Sequence, residues 1–362
     1  MNWGLPRRKE ITNRGTSINY GGDGRYIYVL CPRARTVSVY DTNPDIGTIS
    51  GVARTGFTSI ALNASNTYTS IVYRSVGLQV WVFSNADVKI IDANPASGTF
   101  NTVIETITTT IFNVSGAVTY VSDTDNFYFN SGYYNASIRV SIPTKQNPNY
   151  ARVGAATNTG YYPQIAGIIN GGANGECSFI SSLITEEVIV ALGNTLSTFT
   201  NYKIGNKNYN GSFDFIGRFS MNGNVETSIA LPTNSPRGDV AYNPTNKRLL
   251  IGNYNATTCV VIGINPFASI GSIQTQLNSI LASNGFAYSS IIYSPFSGKI
   301  YIKSISTTGN LTGCNRVYIV DTTQALGSMV CGYFTCDAGD WIAGRYNNTY
   351  MCCNQLRVQE YE

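Results

Sequence analysis

The sequence predicts an all-β protein, a β-propeller in which small four-stranded sheets stand in a ring, and three observations predict it. One segment type recurs along the chain at intervals close to the length of a propeller blade. Apolar runs of strand length alternate with turns rich in Gly, Asn, Ser and Thr. The last copy of the repeat is cut short near the C-terminus, which fits a ring whose chain ends complete one blade together.

In the clearest copy, Tyr293-Ser294-Pro295-Phe296-Ser297-Gly298 makes a turn, Lys299-Ile300-Tyr301-Ile302 a strand, and Asn315-Arg316-Val317-Tyr318-Ile319-Val320-Asp321-Thr322 the next. A second copy reads Tyr242-Asn243-Pro244-Thr245-Asn246-Lys247-Arg248-Leu249-Leu250-Ile251, then Cys259-Val260-Val261-Ile262-Gly263-Ile264. A third reads Arg25-Tyr26-Ile27-Tyr28-Val29, then Thr36-Val37-Ser38-Val39-Tyr40-Asp41-Thr42. Weaker copies follow Val72, Tyr120 and Leu183, and a truncated one runs from Arg345 to Val358. The lead-ins fall near residues 20, 72, 120, 183, 242, 293 and 345, so the expected blade number is seven, within a range of six to eight.

One domain therefore covers residues 1–362, with blades over 20–70, 71–118, 119–176, 177–238, 239–289 and 290–340. Residues 1–19 and 341–362 form the closing blade, with Lys9-Glu10-Ile11-Thr12 as the N-terminal strand. Such pairing would remove an exposed sheet edge. The two longest intervals imply insertions, at Asn170-Gly171-Gly172-Ala173-Asn174-Gly175 and at Asn206-Lys207-Asn208-Tyr209-Asn210-Gly211. One helix is expected after Ser269 as N-cap, from the spacing of Ile270, Ile273, Leu277, Ile280 and Leu281 before Gly285.

The segments at Lys299–Thr322 and Arg25–Thr42 resemble the YVTN family of β-propeller repeats, in which a Tyr-Val strand precedes a Val-x-Val-Ile-Asp strand. The resemblance covers about three good repeats. It implies a seven-bladed ring with surface or scaffold roles, and a likeness of fold does not by itself assign function.

Charged residues make up 12% of the chain and hydrophobic residues 43%, so uncharged polar residues and 25 Tyr fill the place of charge. Disordered chains have the opposite profile. A net charge of +4, with Arg7-Arg8-Lys9 as the one basic run, does not make a nucleic-acid surface. No signal peptide is visible after Met1-Asn2-Trp3-Gly4-Leu5-Pro6, and no run of 18 apolar residues spans a membrane. A surface-type composition without an export signal points to a virion protein, which reaches the outside with its particle.

Histidine is absent, which removes Ser-His-Asp and Cys-His sites, His-ligated metals and His general bases. No cofactor is expected. The remaining acid–base candidates, Glu186-Glu187 and Asp123-Thr124-Asp125, are neighbours on one segment, whereas a glycosidase needs carboxyls facing across a cleft. Asp123 and Asp125 suit a turn better than a calcium loop, which needs a distal Glu. Gly21-Gly22-Asp23-Gly24 lacks the ending of a phosphate loop.

Of eight cysteines, Cys331 and Cys336 are spaced for a hairpin-local bridge, with buried thiols as the alternative. Seven Asn-x-Ser/Thr sequons occur, at Asn63, Asn113, Asn135, Asn210, Asn255, Asn310 and Asn347. The best binding candidates are the aromatic pairs Tyr133-Tyr134 and Tyr161-Tyr162, since Tyr offers contact area at low entropic cost. The expected function is a non-enzymatic structural or binding protein of a virion tail or capsid appendage, with other virion proteins, a host receptor or a glycan as partners. The alternative is a propeller enzyme acting on carbohydrate or lactone through Asp/Glu and Tyr; a weaker one is an intracellular scaffold.

Overall fold

The fold was read from a computed structural model, which describes residues 25–31, 34–43, 53–54, 58–74, 77–108, 114–121, 126–131, 136–141, 150–155, 177–182, 187–192, 199–204, 207–211, 215–219, 225–230, 240–243, 245–252, 259–264, 266–273, 286–294, 296–306, 316–335 and 351–353. The described residues start with β1 (Tyr26–Cys31), β2 (Thr36–Asp41), the two-residue β3 (Ala53–Arg54) and β4 (Thr58–Ala61). Then come β5 (Tyr68–Arg74), β6 (Gln79–Ser84), β7 (Asp87–Asp92) and β8 (Val103–Thr108), which form one antiparallel meander. The next meander is β9 (Val114–Val121), β10 (Asn126–Ser131), β11 (Ala136–Ser141) and β12 (Tyr150–Ala155).

A fourth meander uses β13 (Cys177–Ser182) and β14 (Glu187–Leu192), then β17 (Phe215–Phe219) and β18 (Val225–Ala230). Between β14 and β17, β15 (Phe199–Ile204) and β16 (Lys207–Gly211) make a separate two-stranded sheet, so the insertion expected near residue 206 is a hairpin. The fifth meander is β19 (Val240–Asn243), β20 (Arg248–Gly252), β21 (Cys259–Ile264) and β22 (Phe267–Ser272). The sixth is β23 (Phe286–Ser294), β24 (Lys299–Ser306), β25 (Arg316–Val320) and β26 (Val330–Thr335). Finally β27 (Met351–Cys353) returns to the start and pairs antiparallel with β1, giving a first sheet of order β27-β1-β2-β4.

The described strands thus make six sheets of four or more strands. The units counted near residues 20 and 345 merge because each chain end holds part of one unit: β27 supplies the first strand and β1 the second. The proposed N-terminal strand at Lys9-Glu10-Ile11-Thr12 lies outside the described residues.

Burial explains why the sheets stand face to face. Along β24, Ile300 and Ile302 pack with Leu250, Cys259 and Val261 of the fifth sheet, whereas the intervening Tyr301 belongs to a cluster with Ile27, Tyr28 and Val37 of the first. Successive strand residues point to opposite faces, so both faces of the sixth sheet are covered. The same holds for β1, where Ile27 through Cys31 are all buried, and such strands read as nearly continuous apolar runs. Each fully buried aliphatic or aromatic side chain contributes about 1.5–3 kcal/mol. Trp81, Val72 and Phe83 are buried on the second sheet, in which Tyr73, Val80 and Val82 join the first-sheet cluster.

The fourth strand carries a bulge in five of the six sheets. The extra residues are Ile104, Val153, Glu226, Ile270 and Cys331. A bulge bends and twists an outer strand, which discourages edge-to-edge pairing. It also corrects the expected helix. Ser269, Ile270 and Gly271 lie within strand β22, and the bulge at Ile270 shifts the alternation so that Ile270 is exposed while Ile273, three residues on, is buried. A three-residue apolar spacing therefore arose from a bulged strand; Leu277, Ile280, Leu281 and Gly285 lie outside the described residues.

Gly271 has φ +140°, and a Cβ there would come within 2.7 Å of Leu326 Cδ2, whose side chain reaches over from the sixth sheet. The turn before the second strand repeatedly uses a left-handed residue: Leu78 (φ 48°), Lys247 (φ 54°) and Gly298 (φ 68°). For a non-glycine residue that conformation costs about 1–2 kcal/mol. Chemical denaturation should therefore show Lys247→Gly, at an exposed site, more stable by about 1 kcal/mol. Gly271→Ala should be less stable by about 1–3 kcal/mol, through strain and overpacking against Leu326.

Candidate functional site

In each meander, the second-to-third connection and the link to the next sheet leave the same end. The register fixes this in the third sheet, where Ser131 faces Ala136 and Ala136 faces Ala155. In the fourth, Cys177 faces Leu192 and Ala191 faces Ile216. We call this the loop end. The opposite, turn end holds the first-to-second and third-to-fourth connections.

The turn end is occupied by structural hydrogen bonds. Three repeats close the third strand with Asp, and in each the carboxylate accepts the backbone N–H two residues on: Asn43 to Asp41, Asn94 to Asp92 and Thr323 to Asp321, all at 2.9 Å. This local turn is why Asp recurs at that position. Arg25 grips Asp41 with both ends of its guanidinium, at 2.8 and 2.7 Å. Lys299 Nζ stands 3.5 Å from Asp321, and Thr99 Oγ1 donates to Asp92 at 2.6 Å.

Neighbouring sheets are also bonded at this end. Asn243 Nδ2 donates to Thr322 Oγ1 at 2.9 Å and Asn246 Nδ2 to the same oxygen at 3.0 Å. Arg248 donates to the Thr322 carbonyl. Between the first and second sheets, Tyr28 OH donates to Asn101 Oδ1 at 2.9 Å, and the Tyr26 and Phe100 rings meet edge to face at 4.9 Å.

Burial alone would raise the pKa of each of these three aspartates. For Asp41 the Arg25 hydrogen bonds, the Asn43 N–H and the Arg25 charge outweigh it; for Asp92 Ser97, Thr99 and Asn94 do so; for Asp321 it is Thr323, Lys299 and Gln324. All three carboxyls are held below their ordinary value, so they remain ionised anchors and not proton donors near neutral pH.

At the loop end of the second sheet, sequence reasoning missed a buried polar node. Ser84 Oγ donates to Asp87 Oδ1 at 2.6 Å, Lys89 Nζ lies 3.3 Å from Oδ2, and Tyr68 OH donates to Oδ2 at 3.4 Å. The Asn63 N–H donates to Tyr68 OH at 3.1 Å, fastening the 62–67 connection to the sheet. Burial, opposed by the Asn63 N–H and aided by the Asp87 charge, pushes the Tyr68 phenol up to about 12. Tyr68 therefore stays protonated, and with Lys89 beside Asp87 the node holds the 62–67 connection against the sheet. The Ser84-Asn85-Ala86-Asp87 turn pattern was the available signal.

Tyr133, Tyr134, Tyr161 and Tyr162 lie outside the described residues; the described strand ends from which their two segments leave are neighbours. Segment 132–135 joins Ser131 to Ala136, and segment 156–176 starts at Ala155, which is paired with Ala136. Both leave the loop end of the third sheet from adjacent strands. The hairpin β15–β16 is inserted at the loop end of the fourth. Asp123, Asp125 and Glu186 lie outside the described residues, as does Cys336, half of the expected Cys331–Cys336 bridge; Cys331 is present as a thiol whose Sγ lies 3.5 Å from the Met329 carbonyl. No helix among the described residues is long and apolar enough to cross a membrane.

These features define an all-β chain of consecutive four-stranded antiparallel meanders, one end fastened and the other bearing its insertions. No family model matches the chain, and no curated protein matches it. Among solved structures, the chain is similar to the β-propeller domain of Cps50 (Swd1) from Myceliophteria thermophila at 8% identity and TM-score 0.43, covering 91% of this chain and 89% of that one. It is similar to a chain of a nidogen/laminin complex at 7% identity and TM-score 0.49, covering 91% of this chain and 99% of that one. Hydrazine synthase of Kuenenia stuttgartiensis is similar at 12% identity and TM-score 0.41, covering 90% and 82%.

Two outcomes are expected of the turn end. Asn243→Ala removes one of the two amide donors to buried Thr322 Oγ1, together with the bond to the Gly298 carbonyl, and should cost about 1–3 kcal/mol in denaturant unfolding. The three aspartates have depressed folded pKa values, so their stabilisation is complete above the unfolded value of 3.8 and is lost as pH falls through the lower folded values. Thermal unfolding should therefore change little from neutral to about pH 5 and its midpoint should drop below about pH 4, less steeply in an Asp41→Asn, Asp92→Asn, Asp321→Asn variant.

Proposed function

We propose that the six meanders are blades of one closed ring and that the chain is a non-enzymatic structural or binding component of a virion or other extracellular surface. Its place there would be a tail or capsid appendage, with a receptor or glycan engaged at the loop end. The observation that carries this reading is the contrast between the two ends. At the turn end the side chains are committed to Asp turns and to bonds between sheets, which leaves a rigid base. At the loop end the chain spends its long insertions, 156–176 and 193–214, and both tyrosine pairs leave from one sheet. Recognition residues concentrate on loops held by a rigid scaffold.

Ring closure is supported by three arrangements. The C-terminal β27 completes the sheet of β1. First strands of successive sheets lie side by side, β19 by β23, β23 by β27, β27 by β5 and β5 by β9. Both faces of the sixth sheet are buried between the fifth and the first. Closing the ring leaves no first-strand edge exposed.

The test is binding of the purified protein to a glycan panel and to cells, beside a Tyr133→Ala, Tyr134→Ala, Tyr161→Ala, Tyr162→Ala variant. Loss of aromatic stacking should weaken glycan binding at least tenfold with the melting temperature unchanged. Turnover of a glycan or lactone, abolished by one carboxylate replacement, would instead establish the enzyme. Truncation before residue 349 removes β27 and should give an aggregating chain by light scattering, because the β1 edge is bared.

A further inference from the structure

All seven sequons fall in chain that leaves the loop end. Asn63, Asn113 and Asn347 lie between a fourth strand and the next first strand: β4 to β5, β8 to β9, β26 to β27. Asn135, Asn255 and Asn310 lie between a second and a third strand: β10 to β11, β20 to β21, β24 to β25. Asn210 is in β16 of the hairpin inserted between β14 and β17. Abundance of Asn does not explain this, because the turn end has its own asparagines. There Asn43, Asn94, Asn147, Asn243 and Asn265 are each followed by Pro, which favours turn initiation; at Asn243 the Pro blocks a sequon, and the other four have no Ser or Thr two residues on.

Asn63 is the sequon with described side-chain geometry. It is exposed, and its Oδ1 accepts the Ser65 N–H at 2.9 Å. Its carbonyl accepts the Asn66 N–H at 3.3 Å, and its own N–H is fixed on Tyr68 OH. The side-chain nitrogen Nδ2 makes no hydrogen bond among the described residues. A hydrogen-bonded turn therefore presents the sequon with its acceptor oxygen held and its amide nitrogen without a hydrogen bond among the described residues, on an exposed loop.

We propose that Asn63 carries an N-linked glycan and that the loop end is the glycan-bearing, outward face of the molecule. In the reaction, Nδ2 attacks the anomeric carbon of a polyprenyl-pyrophosphate-linked oligosaccharide. The N–C bond forms as the C–O bond to pyrophosphate breaks, the lipid pyrophosphate departs, and a base of the cell's transferase takes the amide proton. The turn end, without sequons, is then the face that packs against the particle or scaffold.

The inference rests on the surface role proposed above, and one experiment reads the two separately. Protein recovered from its native source is digested with trypsin, which releases residues 55–74 between Arg54 and Arg74, with Asn63 as its sequon and Asn66 as an internal control. Hexose-containing mass increments on Asn63, its conversion to Asp on enzymatic deglycosylation, and an unmodified Asn66 are expected. A Ser65→Ala variant made in the same cells should lose the Asn63 increment and remain folded by circular dichroism. A bare Asn63 in the native protein overturns the inference. In parallel, an impermeant amine reagent labels intact particles or cells: a labelled protein with bare Asn63 sinks the glycan alone, and an unlabelled but glycosylated one sinks the surface role.

Discussion

Two-sided burial is the constraint on which the rest of the structure depends. A sheet that hides both faces needs a neighbour on each side, and the sixth sheet has them, with Ile300 and Ile302 turned to the fifth and Tyr301 to the first. A sequence can meet that demand by repeating one meander and setting each copy against the next. The near-continuous apolar strands Ile27–Cys31 and Val80–Phe83 are the consequence. The first sheet joins segments from far apart in the chain, since β27 lies antiparallel beside β1.

The seam between the last and first sheets is fastened a second time. β3, from the connection between β2 and β4, adds in parallel to the outer edge of β26 at Tyr333 and Phe334. One end of the chain therefore completes the first sheet, while a segment of the first sheet extends the sixth. In the second to fifth sheets the outer strands carry bulges, and the two large apolar residues exposed among the described residues, Ile104 and Ile270, are both bulge residues. Their exposure follows from the local kink and not from an unfilled groove.

The polar chemistry divides along the same geometry. At the turn end, asparagine and threonine join sheets, and aspartate closes turns with help from Arg25, Lys299 or Thr99. Those carboxylates are saturated by donors and held ionised, which suits anchoring and not proton transfer. At the loop end the described polar node of Tyr68, Ser84, Asp87 and Lys89 serves to hold a connection in place. Histidine is absent from the chain, and the three turn-end aspartates described are each satisfied by backbone and side-chain donors.

By itself the sequence determined that the chain is all-β, where its strands lie in the strong copies, and that the repeat is a four-stranded unit. Strand alternation, Asn-Pro and Gly turns and the recurrent Asp are local signals, and local physics was enough to read them. It also marked the insertion near Asn206 without its hairpin form. What only the tertiary structure decided depends on contacts between distant residues. That the copies near residues 20 and 345 share one sheet is set by pairing across the length of the chain. The expected N-cap at Ser269 and the first expected helical residue, Ile270, lie in a strand because β21 offered a ladder and Leu326 packed on Gly271, and neither is visible in a three-residue periodicity. From which end of the sheets the segments with the tyrosine pairs and the sequons leave was also hidden, since an end exists only once the strands have been laid side by side.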